Sequence, residues 1–359
     1  MIVLRKPQNK PIQMPLIFSL CVLDEEKQLM DIFGNIKYKY KKGENIMRNK
    51  FFNTCHIEGP VYQHSLELKT SGPESTNPGT QYISGNIEIA TDDAGINIVP
   101  IHFTYVTAVN KSGKSNDTYN VLMNFINGVH KTIMKDGADV ATKVRIDSAI
   151  GLNEFYTTNR VTGAEELVSA KRNEGGFVHV VATIDDDEKN RNTFDTDMII
   201  NKVRRIEADP EKNIAEKVVI SGVIFNFRKE ILPVEYSVVN PIAMDYFESL
   251  EASSSNPVFT RVKGRQVSET IVRTITEDCA FGEPSVKEVK NTRKDFVVTW
   301  AAKEPYLWDD ESSITANELR SAMAARDVAL ATMKKRSDDY KASKGKAPAA
   351  APAAGGFDF

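Results

Sequence analysis

The residues whose types and spacing point to chemistry are aromatic rings set among cations. Phe225 and Phe227 stand two positions apart and are followed by Arg228 and Lys229. If this segment is a strand, both rings lie on one of its faces. Such rings can stack on nucleobases while the cations neutralise phosphates, but the same two rings equally fit a buried core.

Two further segments carry candidate contacts: the first combines loop-forming residues, amides, cations and rings, and the second sets three cations close together. The first spans residues 153–177 and the second spans residues 261–265. This mixture is typical of a groove that binds a single strand without reading its sequence. The candidate contacts in these segments are Tyr156, Asn159, Arg160, Lys171, Arg172, Phe177, Arg261, Lys263 and Arg265.

The segment Ala108–Ser115 indicates a different chemistry, because it satisfies a permissive P-loop pattern that ends in Gly-Lys-Ser. An apolar run ending at Asp185 resembles the second motif of such NTPases. Ala108 stands where the phosphate cradle normally needs Gly, and the chain offers hairpins rather than repeated strand and helix units. The alternative is a polar loop in which Lys111 and Lys114 contact the phosphates of a nucleic acid.

The residues that hold metals or attack substrates are poorly placed for either role. The His56-Ile57-Glu58 segment is not followed by the P-C-x-x-C of zinc deaminases, and the 3 Cys residues are scattered. The 5 His residues never stand three or four positions apart, and no G-x-S-x-G elbow occurs. We therefore expect no metal ion, no cofactor and no catalysis.

Length and composition indicate an ordinary globular protein. The chain has 359 residues, 41% of them hydrophobic, which is enough for two or three domains. Its net charge of -3 averages over basic segments at 37–50 and 334–346 and acidic ones at 185–188 and 309–311. No apolar run approaches the roughly 20 residues of a membrane helix, and the first residues lack the core of a signal peptide. We expect a cytoplasmic protein that does not bind membranes.

The elements that must position the candidate residues form two similar β-rich blocks. Each block has a long hairpin, a short helix and returning strands, which fits a small Greek-key barrel such as the OB-fold. We predict a mainly β (α+β) fold with two OB-like Greek-key barrel domains, a C-terminal helix and a disordered tail. The expected segments are an N-terminal extension at 1–52, the barrels at 53–190 and 191–312, the helix at 313–342, and the linker and tip at 343–359.

Helix starts are marked by capping residues. Asn240 precedes Pro241, which favours a helix that begins there, and Thr315 with Glu318 forms a capping box for the C-terminal helix. Four other rings look like core or helix-packing residues, namely Phe296, Trp300, Tyr306 and Trp308.

The last residues combine a spacer with a short peptide that is suited to binding. The spacer at 347–356 contains only Ala, Pro and Gly, and the chain then reads Phe357-Asp358-Phe359. Such a spacer buries little surface, whereas two rings and the carboxylates fit an apolar pocket with a basic rim. We predict a partner-binding tip formed by Phe357, Asp358 and Phe359.

This tail resembles that of single-stranded DNA-binding proteins of bacteria and their phages, in which a disordered linker ends in an acidic tip that closes with Phe. The tip usually carries several Asp residues, whereas only Asp358 is present here. The resemblance implies a non-catalytic protein that coats single-stranded DNA in replication, recombination and repair, in the host cytoplasm if a phage encodes it. It implies that the tip recruits replication and recombination proteins.

Two other functions stay open at this point. One is a P-loop NTPase that uses Lys114, and the other is a virion or scaffold protein with a docking tail. The oligomeric state also stays open.

Overall fold

The computed structural model describes residues 51–110, 112–209, 214–277, 281, 285–308 and 314–344, together with two short strands near the N-terminus. These strands, β1 (Leu29–Met30) and β2 (Ile36–Lys37), pair in antiparallel fashion and belong to a small unit at residues 1–47. A second unit, residues 48–359, contains the remaining elements and is mainly β, as predicted.

The strands of the second unit fall into two sequential sets. The first set is β3 (Asn53–His64), β4 (Glu67–Thr70), β5 (Gln81–Ala90), β6 (Ile98–Thr107), β7 (Lys143–Thr158) and β8 (Glu165–Val180). The second set is β9 (Asn192–Ile206), β10 (Lys217–Phe225), β11 (Ile231–Val238), β12 (Val258–Glu277) and β13 (Ser285–Ala301).

The helices interrupt these sets at corresponding places. Between β6 and β7 lie α1 (Asp117–Ile126), α2 (Ile133–Asp136) and a 3-10 turn (Ala138–Val140), and between β11 and β12 lies α3 (Pro241–Ser249). The long α4 (Ala316–Lys344) follows the last strand.

Each set closes into a ring of paired strands. In the first ring, β3 pairs with β5, β5 with β6, β6 with β8, β8 with β7, and β7 with β3. In the second ring, β9 pairs with β10, β10 with β11, β11 with β13, β13 with β12, and β12 with β9. Each ring has five strands, because β4 pairs only with β5 and lies outside the first ring. Of the pairings within the rings, only that of β6 with β8 and that of β11 with β13 are parallel, and both join the third strand of a ring to its fifth. The two rings therefore share one strand order.

The rings are joined by backbone and side-chain hydrogen bonds. Asn53–Ile57 of β3 pairs with residues 192–196 of β9, so all strands from β3 to β13 belong to one sheet of 11 strands. Nearby, the amides of Asn173 and Gln266 exchange two hydrogen bonds of 2.9 and 2.8 Å, and both residues are buried. A satisfied buried amide pair specifies how the rings meet, because a shifted joint would break both bonds between the two buried side chains.

The apolar core fills both rings, and a smaller cluster lies outside the second one. Alternation along the strands points residues such as Ile87, Ile146, Ile220 and Tyr236 inward. The smaller cluster contains Phe225, Phe259 and Ile231, and Leu319 of α4 packs against it. Thus α4 covers an outer face of the second ring.

Both predicted helix starts are confirmed. The Asn240 side-chain oxygen accepts hydrogen bonds from the backbone N–H groups of Ile242 and Ala243 at 3.0 and 3.2 Å. At α4, Thr315 Oγ1 accepts from the Glu318 N–H at 3.1 Å while the Glu318 carboxylate accepts from the Thr315 N–H at 2.8 Å. These bonds satisfy donors that a helix start would otherwise leave free.

Candidate nucleic-acid interface

One outer face of the sheet crosses the joint between the rings, and we call it the shared face. Residues directly opposite each other on paired strands point to the same side. One row across the strands consists of Phe177, Asp147, His56, Thr193 and Arg265. A second row consists of Thr54, Asp195, Lys263 and Trp300. At about 4.8 Å per strand, the first row extends for about 19 Å.

Cations and rings are in direct contact at the second-ring end of the shared face. The Arg261 guanidinium donates to the Asp195 carboxylate at 2.7 and 2.6 Å, and its carbon lies 3.4 Å from the centroid of the Phe52 ring. Lys263 Nζ lies 5.1 Å from the Trp300 ring centroid and 3.5 Å from Asp195. Phe52 and Trp300 are 40% and 47% exposed, so their rings are open to a flat ligand.

A histidine that contacts two carboxylates, His56, lies in the middle of the shared face. His56 Nδ1 is 2.9 Å from the Asp147 carboxylate, and its Nε2 is 3.1 Å from that of Glu58. Two carboxylate neighbours require donors on both ring nitrogens, so the charged form is favoured. The hydrogen bond to Asp147 is the main reason why the pKa of His56 is raised.

The buried Glu58 carboxylate anchors this centre. Arg145 Nε donates to it at 3.0 Å and the backbone N–H of Asp185 at 2.8 Å. Burial acts to raise the pKa of Glu58, but hydrogen bonds from Arg145, Asp185 and His56 together lower it. Glu58 therefore stays ionised and holds two cations on the surface above it.

A cleft of about 370 Å³ opens where the rings meet. Its lining residues are Thr54, Cys55, His56, Asp147, Thr193 and Asp195. The hydroxyl, imidazole and carboxylate groups that line the cleft can donate hydrogen bonds to a nucleobase edge or accept hydrogen bonds from it. Among the described residues, no group of three or more His, Cys, Asp and Glu side chains is arranged to hold a metal ion.

Four of the candidate residues meet on the shared face. Phe177 is 71% exposed and lies in the first row with Arg265, while Lys263 lies in the second row and Arg261 is two positions before it on β12. The guanidinium of Arg265 also reaches the backbone oxygen of Glu188 at 3.4 Å. The pairing of β3 with β9 brings these distant segments together.

The expectation that Phe225 and Phe227 share a strand face is wrong. β10 ends at Phe225, whose ring is 1% exposed and stacks on Phe51 at a centroid distance of 4.3 Å in the small cluster under α4. Phe225 is a core residue and cannot stack on a base. Phe227 lies in the following turn, is 87% exposed and has the Arg228 guanidinium 5.2 Å from its centroid. Lys229 completes this turn with a positive φ of 62°.

Five candidate residues lie in or next to the arm, which we define as the β7–β8 hairpin at residues 153–171. Asn159 organises its tip, since its side chain accepts from the backbone of Val161 and donates to Glu166 at 2.8 Å. Arg160 is exposed at that tip, and Tyr156 lies against α4.

The cations at the base of the arm are already engaged. Lys171 is half-buried, donates to the backbone oxygen of Glu235, and lies 4.9 Å from the Phe296 ring centroid. Burial is the main cause of its lowered pKa. Arg172 donates to Glu174 at 2.7 Å. Lys171 fastens the arm to the second ring, which removes it from the set of free phosphate contacts.

In the P-loop-like segment, the side chain of Asn110 fills the interior of the turn. Asn110 Oδ1 accepts from the backbone N–H groups of Ser112 and Lys114, both at 3.0 Å. In a P-loop those N–H groups point at phosphate. Lys114 is exposed, and Lys111 lies outside the described residues. The described part of this loop is a closed polar turn.

Residues missed by sequence reasoning include Phe52, His56 and Trp300. Trp300 was expected to be a core or helix-packing residue, and Phe296 and Val298 on the same strand do point inward. A β-bulge places Thr299 as an extra residue between the pairs Lys263–Trp300 and Gly264–Val298. The bulge turns Trp300 outward, whereas Phe296, Tyr306 and Trp308 do pack in the two clusters. Alternation alone cannot reveal such a bulge.

A second group of rings lies on β5 and β6. The rings of Tyr82 and Tyr105 are 4.4 Å apart, and His102 Nδ1 is 2.8 Å from the Asn86 side-chain oxygen. Burial is the main cause of the lowered pKa of His102, which favours its neutral form. This face therefore carries two adjacent tyrosine rings beside a neutral histidine.

Comparison with known proteins places most of the described chain in one family. Residues 51–336 match the YorF family over the region that contains both rings and most of α4. The chain belongs to the YorF family. No curated protein matches the sequence significantly.

Two solved structures are similar to this YorF family member. The crystal structure of wild-type single-stranded DNA binding protein from Thermus aquaticus has 8% sequence identity and a TM-score of 0.39, over 71% of this chain and 94% of that one. A deletion mutant of that protein has 10% identity and a TM-score of 0.37, over 72% and 97% of the chains. Among the described residues, no helix is both long enough and apolar enough to span a membrane.

Proposed function

We propose that this protein binds single-stranded DNA, without catalysis, along the shared face. The observation that carries the proposal is the contact of Arg261 with Phe52 and of Lys263 with Trp300 on the same surface as Phe177. Exposed rings offer stacking surfaces to any base, and adjacent cations neutralise backbone phosphates. Because the shared face crosses both rings, one DNA strand can contact it along the full length of the face.

The carboxylates of the shared face have a positioning role in this proposal. Asp195 fixes the Arg261 guanidinium through two hydrogen bonds, and Asp147 fixes the His56 imidazole. Preorganised cations lose less side-chain entropy when a phosphate arrives. The same carboxylates reduce the net positive charge, which favours a moderate, reversible affinity that suits a coating protein.

We further propose that each ring is an OB-like Greek-key barrel and a domain. Supporting features are the five strands per ring, a helix between the third and fourth strands, and the parallel pairing of the third and fifth. The domain limits would be 53–190 and 191–312, after an extension at 1–52. The C-terminal helix would occupy 313–342, in line with α4, and the linker and tip 343–359.

The wider roles rest on the tail, which lies outside the described residues. We propose that Phe357, Asp358 and Phe359 dock in a pocket of a replication or recombination protein. A coated strand would then present many tips, and repair proteins could be recruited in the same way. A phage origin would place this activity in the cytoplasm of the host.

Fluorescence anisotropy tests the DNA-binding proposal. A labelled oligo-dT and a duplex of equal length are titrated with the protein at several salt concentrations. We expect tighter binding of the single strand and a log–log salt slope of about -0.7 for each phosphate contacted. Equal affinity for the two DNAs would refute the proposal.

Variants locate the binding face. Phe177→Ala and Trp300→Ala are expected to weaken binding of oligo-dT about tenfold each, since stacking on one base contributes about 1–3 kcal/mol. Tyr105→Ala removes a ring from β6 and is expected to have little effect. If only Tyr105→Ala weakens binding, the strand lies on the β5–β6 face instead.

A further inference from the structure

The contact between the arm and α4 joins two lysines to one carboxylate. Lys341 Nζ lies 2.5 Å from one oxygen of Glu165, and Lys334 Nζ donates to the other oxygen. The same Lys334 Nζ is 5.5 Å from the centroid of the Tyr156 ring. We call this group of residues the arm junction.

The arm junction has more positive than negative charge. Two ammonium groups meet the Glu165 carboxylate, Lys334 Nζ also lies 3.6 Å from the Asp338 carboxylate, and the neighbouring Lys335 and Arg336 are exposed on α4. Hydrogen bonds from Lys334 and Lys341 lower the pKa of Glu165, and the bond to Glu165 raises that of Lys334. Both lysine side chains remain about half exposed, at 48% and 47%. An anion can therefore reach them from solvent.

The arm junction is not what holds α4 in place. Arg326, two turns earlier, donates to the backbone oxygen of Ile231 at 3.0 Å and to the Glu154 carboxylate at 2.6 Å. Leu319 and Ala322 pack on the small apolar cluster. With α4 anchored at these points, Lys334 and Lys341 stay in position when Glu165 releases them.

The chemistry of Glu165 matches that of a backbone phosphate. A carboxylate and a phosphodiester each carry one negative charge on two oxygens, and both bind lysine ammonium groups. In addition, the Tyr156 ring offers a stacking surface beside Lys334, and Arg160 is exposed at the arm tip.

We propose that the arm junction is a second contact site for the bound strand and that Glu165 occupies the phosphate position in the free protein. On binding, phosphate oxygens replace Glu165 at Lys334 and Lys341, and a base stacks on Tyr156. This proposal rests on the proposed function, because the strand must first be held by the shared face. The proposal gives the basic end of α4 a role in DNA binding, although this end of the helix is not part of the shared face.

Distance along β8 makes the two sites separable. Phe177 on the shared face and Glu165 at the arm junction are 12 residues apart on one strand, which corresponds to about 40 Å at most because a bulge at Gly175 and Gly176 bends the strand. A short oligonucleotide that covers the shared face cannot reach the arm junction. Only long oligonucleotides should respond to changes there.

The first test replaces the competing carboxylate. Glu165→Gln is expected to raise the affinity for a long oligo-dT about tenfold and leave that for a short oligo-dT unchanged. Glu166→Gln removes the same charge at the neighbouring position, whose carboxylate accepts from Asn159, and should change neither. Equal effects of the two substitutions would refute the proposal.

The second test removes the cations. The double variant Lys334→Ala/Lys341→Ala is expected to reduce the magnitude of the salt slope for long oligo-dT by about 1.4, the value for two phosphates on a single strand. Lys335→Ala is the matched control and should leave the slope nearly unchanged. Circular dichroism melting checks that every variant is folded. An unchanged slope in the double variant would also refute the proposal.

The outcomes distinguish this inference from the proposed function. If the unmodified protein binds oligo-dT and Trp300→Ala weakens it, while Glu165→Gln has no effect, only the arm junction is wrong. If the unmodified protein does not prefer single strands, both proposals fall. Binding of an acidic peptide, but not of DNA, at Lys334 and Lys341 would assign the arm junction to a protein partner and refute the strand contact.

Discussion

The guanidinium of Arg326 and the carboxylate of Glu154 lie 2.6 Å apart, although 172 residues separate them in the sequence. Their side chains are only 17% and 10% exposed. Arg326 also donates to the backbone of β11 at Ile231. One side chain therefore ties α4 to the arm of the first ring and to the second ring.

Loss of this guanidinium should destabilise the protein strongly. Arg326→Ala leaves the Glu154 charge buried without its partner, and we expect the free energy of unfolding to fall by roughly 3 kcal/mol. Guanidinium chloride unfolding measures the change. The double variant Glu154→Gln/Arg326→Met keeps similar volume without charge and should recover most of the loss. A fall below about 0.5 kcal/mol, the scale of exposed pairs, would contradict the buried geometry.

Two phenylalanines that sequence reasoning treated alike should behave in opposite ways. Phe225→Ala empties a buried site and is expected to lower the free energy of unfolding by roughly 3–5 kcal/mol, with unchanged DNA affinity for the folded fraction. Phe177→Ala removes an exposed ring and should leave stability within about 0.5 kcal/mol while weakening DNA binding. Thermal melts and oligo-dT titrations on both variants supply the comparison. Matching stability losses would show that Phe177 is packed in solution.

Asp197 should make stability depend on pH. It is buried, accepts from the Phe52 N–H at 2.8 Å and from the Tyr306 hydroxyl at 3.1 Å, and burial raises its pKa to about 6. The folded state therefore binds a proton more tightly than the unfolded state. Its contribution to stability is complete below the ordinary pKa and is lost as pH rises through about 6.

Asp197→Asn isolates this effect. The variant cannot ionise, so its stability relative to the parent should increase between pH 4 and pH 7.5, by up to roughly 3 kcal/mol. Urea unfolding at a series of pH values gives the difference. A difference that stays constant across this range would show that Asp197 titrates normally.

The histidines should separate in an NMR titration. The hydrogen bond to Asp147 raises the pKa of His56, whereas burial lowers the pKa values of His64, His102 and His130. Imidazole resonances followed against pH should give His56 a higher pKa than these three histidines. Asp147→Asn should lower the pKa of His56, because it removes the carboxylate that raises it. If His56 titrates below the others, the imidazolium at the centre of the shared face is incorrect.

Removal of the tip should separate partner binding from DNA binding. Deletion of residues 355–359 is expected to leave oligo-dT affinity unchanged or slightly raised, since it removes negative charge, and to abolish capture of replication proteins by the immobilised chain. Anisotropy and pull-down measurements report the two activities. A collapse of DNA binding would make the tail part of the DNA-binding groove.

Local patterns predicted the elements better than their assembly. The caps at Asn240 and Thr315 were predictable because capping is decided by residues two or three positions apart. The side of the sheet on which Trp300 lies depends on one extra residue in a bulge, which alternation does not reveal. Phe225 was ambiguous because its burial depends on α4, which lies about 100 residues later. The shared face itself exists only through the pairing of β3 with β9.

That pairing has a practical consequence. Along Asn53–Ile57, the backbone N–H and C=O groups that face the other ring are satisfied only by β9. A chain divided between Val180 and Asn192 would yield two fragments, each with an unpaired strand edge that is a template for pairing with the other. The two fragments should reassemble without a covalent link and restore the shared face. The protein is therefore suited to use as a split reporter.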